Sequence, residues 1–195
     1  MTTYDARTAL VVVDVQNDFA DPGGSLYVEG GEQIVPIVNA EVEKARGRGA
    51  FVVCTQDWHP EQTPHFQRDG GIWPVHCVRD TTGAEFHPDL MVADHEVVRK
   101  GHDGGDGYSW FSVRDPISGE RGDTMLHEML TAKGIERLVI CGLATDYCVV
   151  ETALDARMLG YRVEVLGDAV RAVDLQPGDG AAAFSRMRDA GAEIV

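Results

Sequence analysis

Asp14, Asp57, Lys100 and Cys148 each stand at or just past the end of a short apolar run. The runs are residues 9–13, 51–53, 96–99 and 138–142, the last separated from its cysteine by a short turn. These runs read as parallel strands, and residues 9–15, nearly all apolar and β-branched, as one covered on both faces. Ligands of an open α/β sheet bind outside the carboxyl ends of its strands. A carboxylate, a second carboxylate suited to a metal, an ammonium and a thiol aimed at one edge are the equipment of a cysteine hydrolase.

Cys148 lies in GLATDYCVVETALDA, where Thr145 or Asp146 can serve as N-cap with Glu151 placed to reach back. That arrangement puts the thiol in the first helical turn, where the helix N-terminus is expected to lower its pKa. The competing reading is a buried structural cysteine. Asp14 closes an all-apolar strand, an unusual place for an acid, because a carboxylate buried without a partner is costly. Alone it could be a turn or capping aspartate. Lys100 ends a strand before Gly101, so its ammonium can project into the same crevice and stabilise both the Asp14 carboxylate and a Cys148 thiolate. Alone it would be a solvated lysine.

Asp57, His59 and His65 fall within DWHPEQTPHF, and His76 follows in WPVHC. Asp-x-His puts two side chains on one side of an extended segment. Carboxylate with imidazole suits one divalent ion of the zinc, manganese or iron type. A polar loop with satisfied histidines is the alternative, and the clustering after a strand speaks against it. His87, His95, His102 and His127 lack such company, and His102 sits in the glycine-rich GHDGGDG. Phe19, Trp73 and Tyr108 stand near these motifs and together could sandwich a flat ring.

The elements that must position these groups alternate along the chain. Helical spacing of apolar residues, each stretch closed by a glycine or lysine-glycine, marks residues 34–48, 125–133, 149–159 and 180–190. Strands are expected at 9–15, 50–55, 96–100, 137–142, 161–166 and 192–195. Such βα alternation predicts an α/β fold, a mostly parallel sheet with helices on both faces. The 195 residues suffice for one domain with a full core, and no linker or repeat interrupts them. Residues 57–90 and 101–123 read as long irregular stretches of the kind that carry binding or catalysis.

A net charge of −15 disfavours nucleic acid and anionic membrane surfaces, which recruit basic patches, and suits a small neutral substrate. No apolar run approaches a membrane span. The amino-terminal stretch carries no signal-peptide pattern, and Cys54, Cys77, Cys141 and Cys148 form no CxxC pair. A reducing cytoplasm is therefore the expected compartment.

VVVDVQNDF with GGSL at 11–26, TQDWHP at 55–60, WPVHC at 73–77, RKG at 99–101, GYS at 107–109 and GLATDYCV at 142–149 occur in one order across nearly the whole chain. In these pieces the chain resembles the nicotinamidase/pyrazinamidase family, within the isochorismatase-like cysteine hydrolases. The resemblance implies Asp14, Lys100 and Cys148 as a catalytic triad. It implies Asp57, His59 and His76 as ligands of the divalent ion; His65 is offered as a fourth, at a position where the family varies. An oxyanion hole from the N–H groups of Ala144 and Cys148 is implied, with a cis peptide between Leu143 and Ala144. Phe19, Trp73, Tyr108 and Leu143 would contact a pyridine ring. The implied fold is a three-layer α/β/α sandwich on a six-stranded sheet of order 3-2-1-4-5-6, with Asp14 and Cys148 meeting at its switch point. Residues 102–106 and 112–123 match no family pattern.

The activity so implied is hydrolysis of nicotinamide, and of pyrazinamide, to the acid and ammonia through a cysteine thioester, a step in NAD salvage. The partner is a small aromatic amide, and the family allows homo-oligomers. One alternative keeps the chemistry on another small amide or, as in isochorismatases, an ether; the Asp-x-His…His set argues against the ether. Another is a metal-binding or interaction module on an inherited fold, which has no need of Asp14, Lys100 and Cys148 together.

Overall fold

The structure is a computed structural model and describes residues 2–91, 95–102, 104–115 and 118–195. Its strands are β1 (Thr8–Val13), β2 (Phe51–Asp57), β3 (Glu96–Lys100), β4 (Ser112–Arg114), β5 (Arg121–Asp123), β6 (Arg137–Leu143), β7 (Arg162–Arg171) and β8 (Glu193–Ile194). Six of them form one sheet in the order β3-β2-β1-β6-β7-β8, and every pairing in it is parallel. Counted along the sheet alone this is 3-2-1-4-5-6, the order expected. The remaining pair, β4 and β5, forms an antiparallel hairpin. That hairpin lies inside the stretch 101–123 read from sequence as irregular; its three-residue strands are too short to show a period.

The helices are α1 (Asn17–Ala20), α2 (Gly31–Gly47), α3 (Leu126–Ala132), α4 (Val150–Met158) and α5 (Asp179–Asp189). Successive side chains of a strand point to opposite faces. On β1, Leu10 and Val12 pack with Ile34, Val38 and Val42 of α2 on one face. Ala9, Val11 and Val13 pack on the other with Leu126 and Leu130 of α3, Ala153 of α4 and Met187 of α5. A strand buried on both sides needs an unbroken apolar run, and each such valine or leucine contributes roughly 1.5–3 kcal/mol. The sheet thus becomes the middle of three layers, with Asp14, Asp57 and Lys100 at or just past the carboxyl ends of β1, β2 and β3. Among the described residues, no helix is long and apolar enough to cross a membrane.

Candidate active site

Strand register alone brings the first chemical groups together. Val13 of β1 lies opposite Gly142 of β6, and Asp57 of β2 lies opposite Lys100 of β3. Gly142 has φ 112°, and a Cβ there would fall 2.0 Å from the Val13 carbonyl oxygen. Only glycine allows that approach. It sets the chain leaving β6 directly against Asp14, with a cis peptide at Leu143–Ala144 as the resemblance implies.

Asp14 is fully buried at φ 51°, a left-handed conformation uncommon for a residue with a Cβ and frequent at functional positions. Thr55 Oγ1 donates to its Oδ1 at 2.7 Å, and Trp110 Nε1 donates to its Oδ2 at 3.1 Å. Burial, with the Asp57 charge behind it, pushes the Asp14 carboxyl up to about 7; Lys100 and the Thr55 hydrogen bond oppose the shift.

Lys100 Nζ stands 3.2 Å from Asp57 Oδ1 and donates to Cys148 Sγ at 3.5 Å and to the Tyr108 carbonyl at 3.4 Å. Its direct ion pair is therefore with Asp57, and it acts on Asp14 through its field. Burial works against the ammonium, but Asp57, Cys148 and Asp14 outweigh it and hold the lysine charged. Burial likewise opposes the Asp57 charge, and Lys100 foremost holds that carboxyl far below the usual range.

Cys148 lies in a π-helical turn, Thr145–Val149, that opens onto α4. The expected capping box does not form. Ala144 is the N-cap, without a side-chain bond; the Asp146 carboxylate accepts from the Val173 and Asp174 N–H groups at 2.9 and 2.8 Å; Glu151 pairs with Arg186. Nor is the thiol lowered. Burial pushes it well above the ordinary cysteine range, with Asp14 and Asp57 adding to the rise against Lys100. The Lys100 ammonium does not compensate for the loss of water around the sulfur. Cys148 rests as a thiol, and its thiolate must be made by a neighbouring base.

The histidine segment supplies a second cluster. Ligand nitrogens of His59, His65 and His76 lie within 4.8 Å of one another. His76 Nδ1 is 2.7 Å from the Pro74 carbonyl, and His65 Nδ1 is 2.8 Å from Asp106 Oδ1. Both partners only accept, so each Nδ1 carries hydrogen and Nε2 is the ring nitrogen left to bind an ion. Burial pushes His76 down to about 4, which keeps it neutral. His59 is buried with neither ring nitrogen hydrogen-bonded, and its Nε2 stands 3.8 Å from Asp57 Oδ2. Unpartnered buried nitrogens are costly, and a divalent ion among three imidazoles and a carboxylate would satisfy them. The residues fit such an ion. Asp14, Asp57 and Cys148 also crowd within 4.8 Å, but Lys100 already provides the cation there.

The two clusters share a cleft of about 460 Å³ whose lining includes Asp57, His65, His76, Ala144 and Cys148. Phe19, Trp73, Tyr108 and Leu143, all expected from sequence, line it too. Trp73 Nε1 donates to the Tyr108 hydroxyl at 3.0 Å. Tyr147, which sequence reasoning passed over, sets its ring edge-on to Trp73 and Tyr108 with centroids 4.9 and 5.2 Å away. Its place beside Cys148 on one turn was the available signal. Asp106, Thr55 and Trp110 were also missed, since each contacts the site across a long stretch of chain. His102 is exposed, His87 accepts from the Asp89 N–H, and His127 contacts Tyr161; none of the three lines the cleft.

Comparison with known proteins agrees with this architecture. Residues 8–195 match the isochorismatase domain. The nicotinamidase of Escherichia coli K12 is 39% identical over 95% of this chain and 93% of its own. A Pyrococcus horikoshii pyrazinamidase solved in complex with zinc superposes with a TM-score of 0.85 at 42% identity, over 97% of this chain and 98% of that one. An L. infantum protein solved with nicotinate gives a TM-score of 0.89 at 37% identity, over 100% of this chain and 95% of that one. An α/β sheet with a buried thiol, lysine and aspartate at its switch point defines a hydrolase of the isochorismatase type. The chain belongs to that family and, within it, to the nicotinamidase/pyrazinamidase branch.

Proposed function

We propose that this chain hydrolyses nicotinamide, and pyrazinamide with it, to the carboxylic acid and ammonia. The reading rests on one observation: Cys148 Sγ, 3.5 Å from Lys100 Nζ and beside Asp14, shares an aromatic-lined cleft with ligand-ready histidines. Asp57, His59, His76 and His65 would hold a divalent ion, which would supply Lewis acidity for positioning the substrate ring in the cleft.

Phe19, Trp73, Tyr108 and Leu143 hold the ring so that its amide carbon faces Cys148. Asp14 takes the thiol proton, and Cys148 Sγ bonds to the carbonyl carbon. A base near pKa 7 suits this transfer, because about half of it is ionised at neutral pH while it stays basic enough to accept a proton. The N–H groups of Ala144 and Cys148 meet the oxyanion, each worth about 2.7–4 kcal/mol in such sites. The C–N bond breaks, the departing nitrogen takes the proton from Asp14 and ammonia leaves a thioester. Asp14 then accepts a proton from water, whose oxygen attacks the thioester carbon. The C–S bond breaks and the proton returns to sulfur, leaving the acid and the starting thiol. Lys100 offsets the negative charge of the thiolate and of Asp57 throughout. Nicotinate formation places the reaction in NAD salvage.

The test is ammonia release from nicotinamide, with Cys148→Ala in parallel. Release by the parent and none by a variant of unchanged melting temperature is expected. Release by the variant would sink the covalent route. Release from other amides and not from nicotinamide would keep the chemistry and replace the substrate.

A further inference from the structure

We propose that Asp106 is a positioning residue that commits His65 to presenting Nε2 and ties one wall of the cleft to the histidine set. This rests on the metal reading above. The three histidines are oriented in different ways. His76 is held by the carbonyl of Pro74, two residues away, which no substitution removes. His59 has no hydrogen-bonded orienter. His65 is held by a side chain from a different loop, Asp106, with Oδ1 2.8 Å from Nδ1. Without that acceptor a neutral imidazole is free to place its hydrogen on either nitrogen.

The same Asp106 Oδ1 accepts the Gly107 N–H at 2.7 Å. Gly107 lines the cleft, and the next residue, Tyr108, takes the Trp73 indole hydrogen bond and the Lys100 ammonium contact. One oxygen therefore ties His65 to the strap bearing the ring-binding wall. The strap is anchored behind by backbone bonds between Asp106 and Arg114 of β4. These survive any change of side chain. The Asp106 side chain is 40% exposed, so it fills no core. Replacing it removes the two carboxylate contacts and little else. Carboxylates behind ligating histidines raise ligand basicity, and their loss costs about 10- to 100-fold in metal affinity or activity.

The experiment uses the full chain stripped of metal, titrated with Zn²⁺ against a chromophoric chelator, for the parent, Asp106→Ala and Asp106→Asn. The expected result is a Zn²⁺ dissociation constant raised about 10- to 100-fold in Asp106→Ala. Asparagine, which keeps an uncharged acceptor, is expected to lose less. Nitrogen-15 imidazole spectra of the metal-free proteins at pH 8 provide a second readout. The parent should show His65 as the Nδ1–H tautomer and Asp106→Ala a shift toward Nε2–H. Tight Zn²⁺ binding by the parent with an unchanged constant in both variants overturns the assignment alone. A parent that binds no Zn²⁺ overturns the metal reading and the assignment together. Neither outcome depends on whether nicotinamide is the substrate.

Discussion

The cleft has two halves built on different principles. The thiol half, with Asp14, Lys100 and Cys148, is carried by strand ends and the turn after β6, and sheet register sets its geometry. The histidine half lies in the loop after β2, where hydrogen bonds to a carbonyl and a carboxylate orient rings that no ladder holds. Rigid backbone suits groups that must exchange a proton over a fixed short distance. Loops suit ligands, because a bound ion itself draws donors into place. Asp57 joins the halves, with one oxygen on Lys100 at 3.2 Å and the other 3.8 Å from His59 Nε2.

Changing that joint should break both halves at once. Asp57→Asn leaves the buried Lys100 ammonium without its ion pair, so a destabilisation of about 3–5 kcal/mol is expected in urea unfolding. Zn²⁺ affinity should fall in the same variant. Unaltered stability would mean that Lys100 has another partner. Asp14→Asn should strike the thiol half alone: kcat falls about 10²- to 10⁴-fold while Zn²⁺ affinity holds. Chelation is the converse. It should stop hydrolysis yet leave Cys148 alkylation by iodoacetamide at the parental rate; a changed rate would show the halves to be coupled.

The smallest effects concern pH. Asp14 works as the carboxylate, so kcat/KM should rise as pH climbs through about 7 and fall away below it. Trp110→Phe removes the N–H that favours this carboxylate and keeps an aromatic ring near Lys100 Nζ, now 4.3 Å from the Trp110 ring. The carboxyl then protonates more readily, and the limb should move to higher pH by about one unit. An unmoved limb would assign it to another group.

Most of the thiol half was legible in the amino-acid order. Apolar runs ending in Asp14 and Asp57 reveal strands and the edge they serve, because a strand buried on both faces tolerates polar groups only at its ends; Lys100 closes the largely exposed edge strand β3 beside them. Of the wall residues that line the cleft, Phe19, Trp73 and Tyr108 were legible as aromatics beside the motifs, and Leu143 came from the family resemblance. The supports were hidden. Thr55 and Trp110 meet Asp14 across 41 and 96 positions, and no local pattern encodes such a contact. The capping box failed for a related reason: Asp146 and Glu151 are taken by the segment after β7 and by Arg186 of α5.

By itself, then, the sequence determined the layer order, the strand ends that bear chemistry and the family to which they belong. Periodicity and motif spacing are local, and burial enforces them wherever the chain is covered on two sides. Tertiary structure alone decided the charge states and the orientations. Cys148, whose pKa the helix terminus was expected to lower, is instead pushed up, because burial outweighs the Lys100 ammonium. Asp14 is a base near neutrality because it shares a dry corner with Asp57. His65 faces the cleft in one tautomer because Asp106 arrives behind it. Desolvation and charge pairing depend on what surrounds a group in space, and the surroundings exist only once the distant segments have folded together.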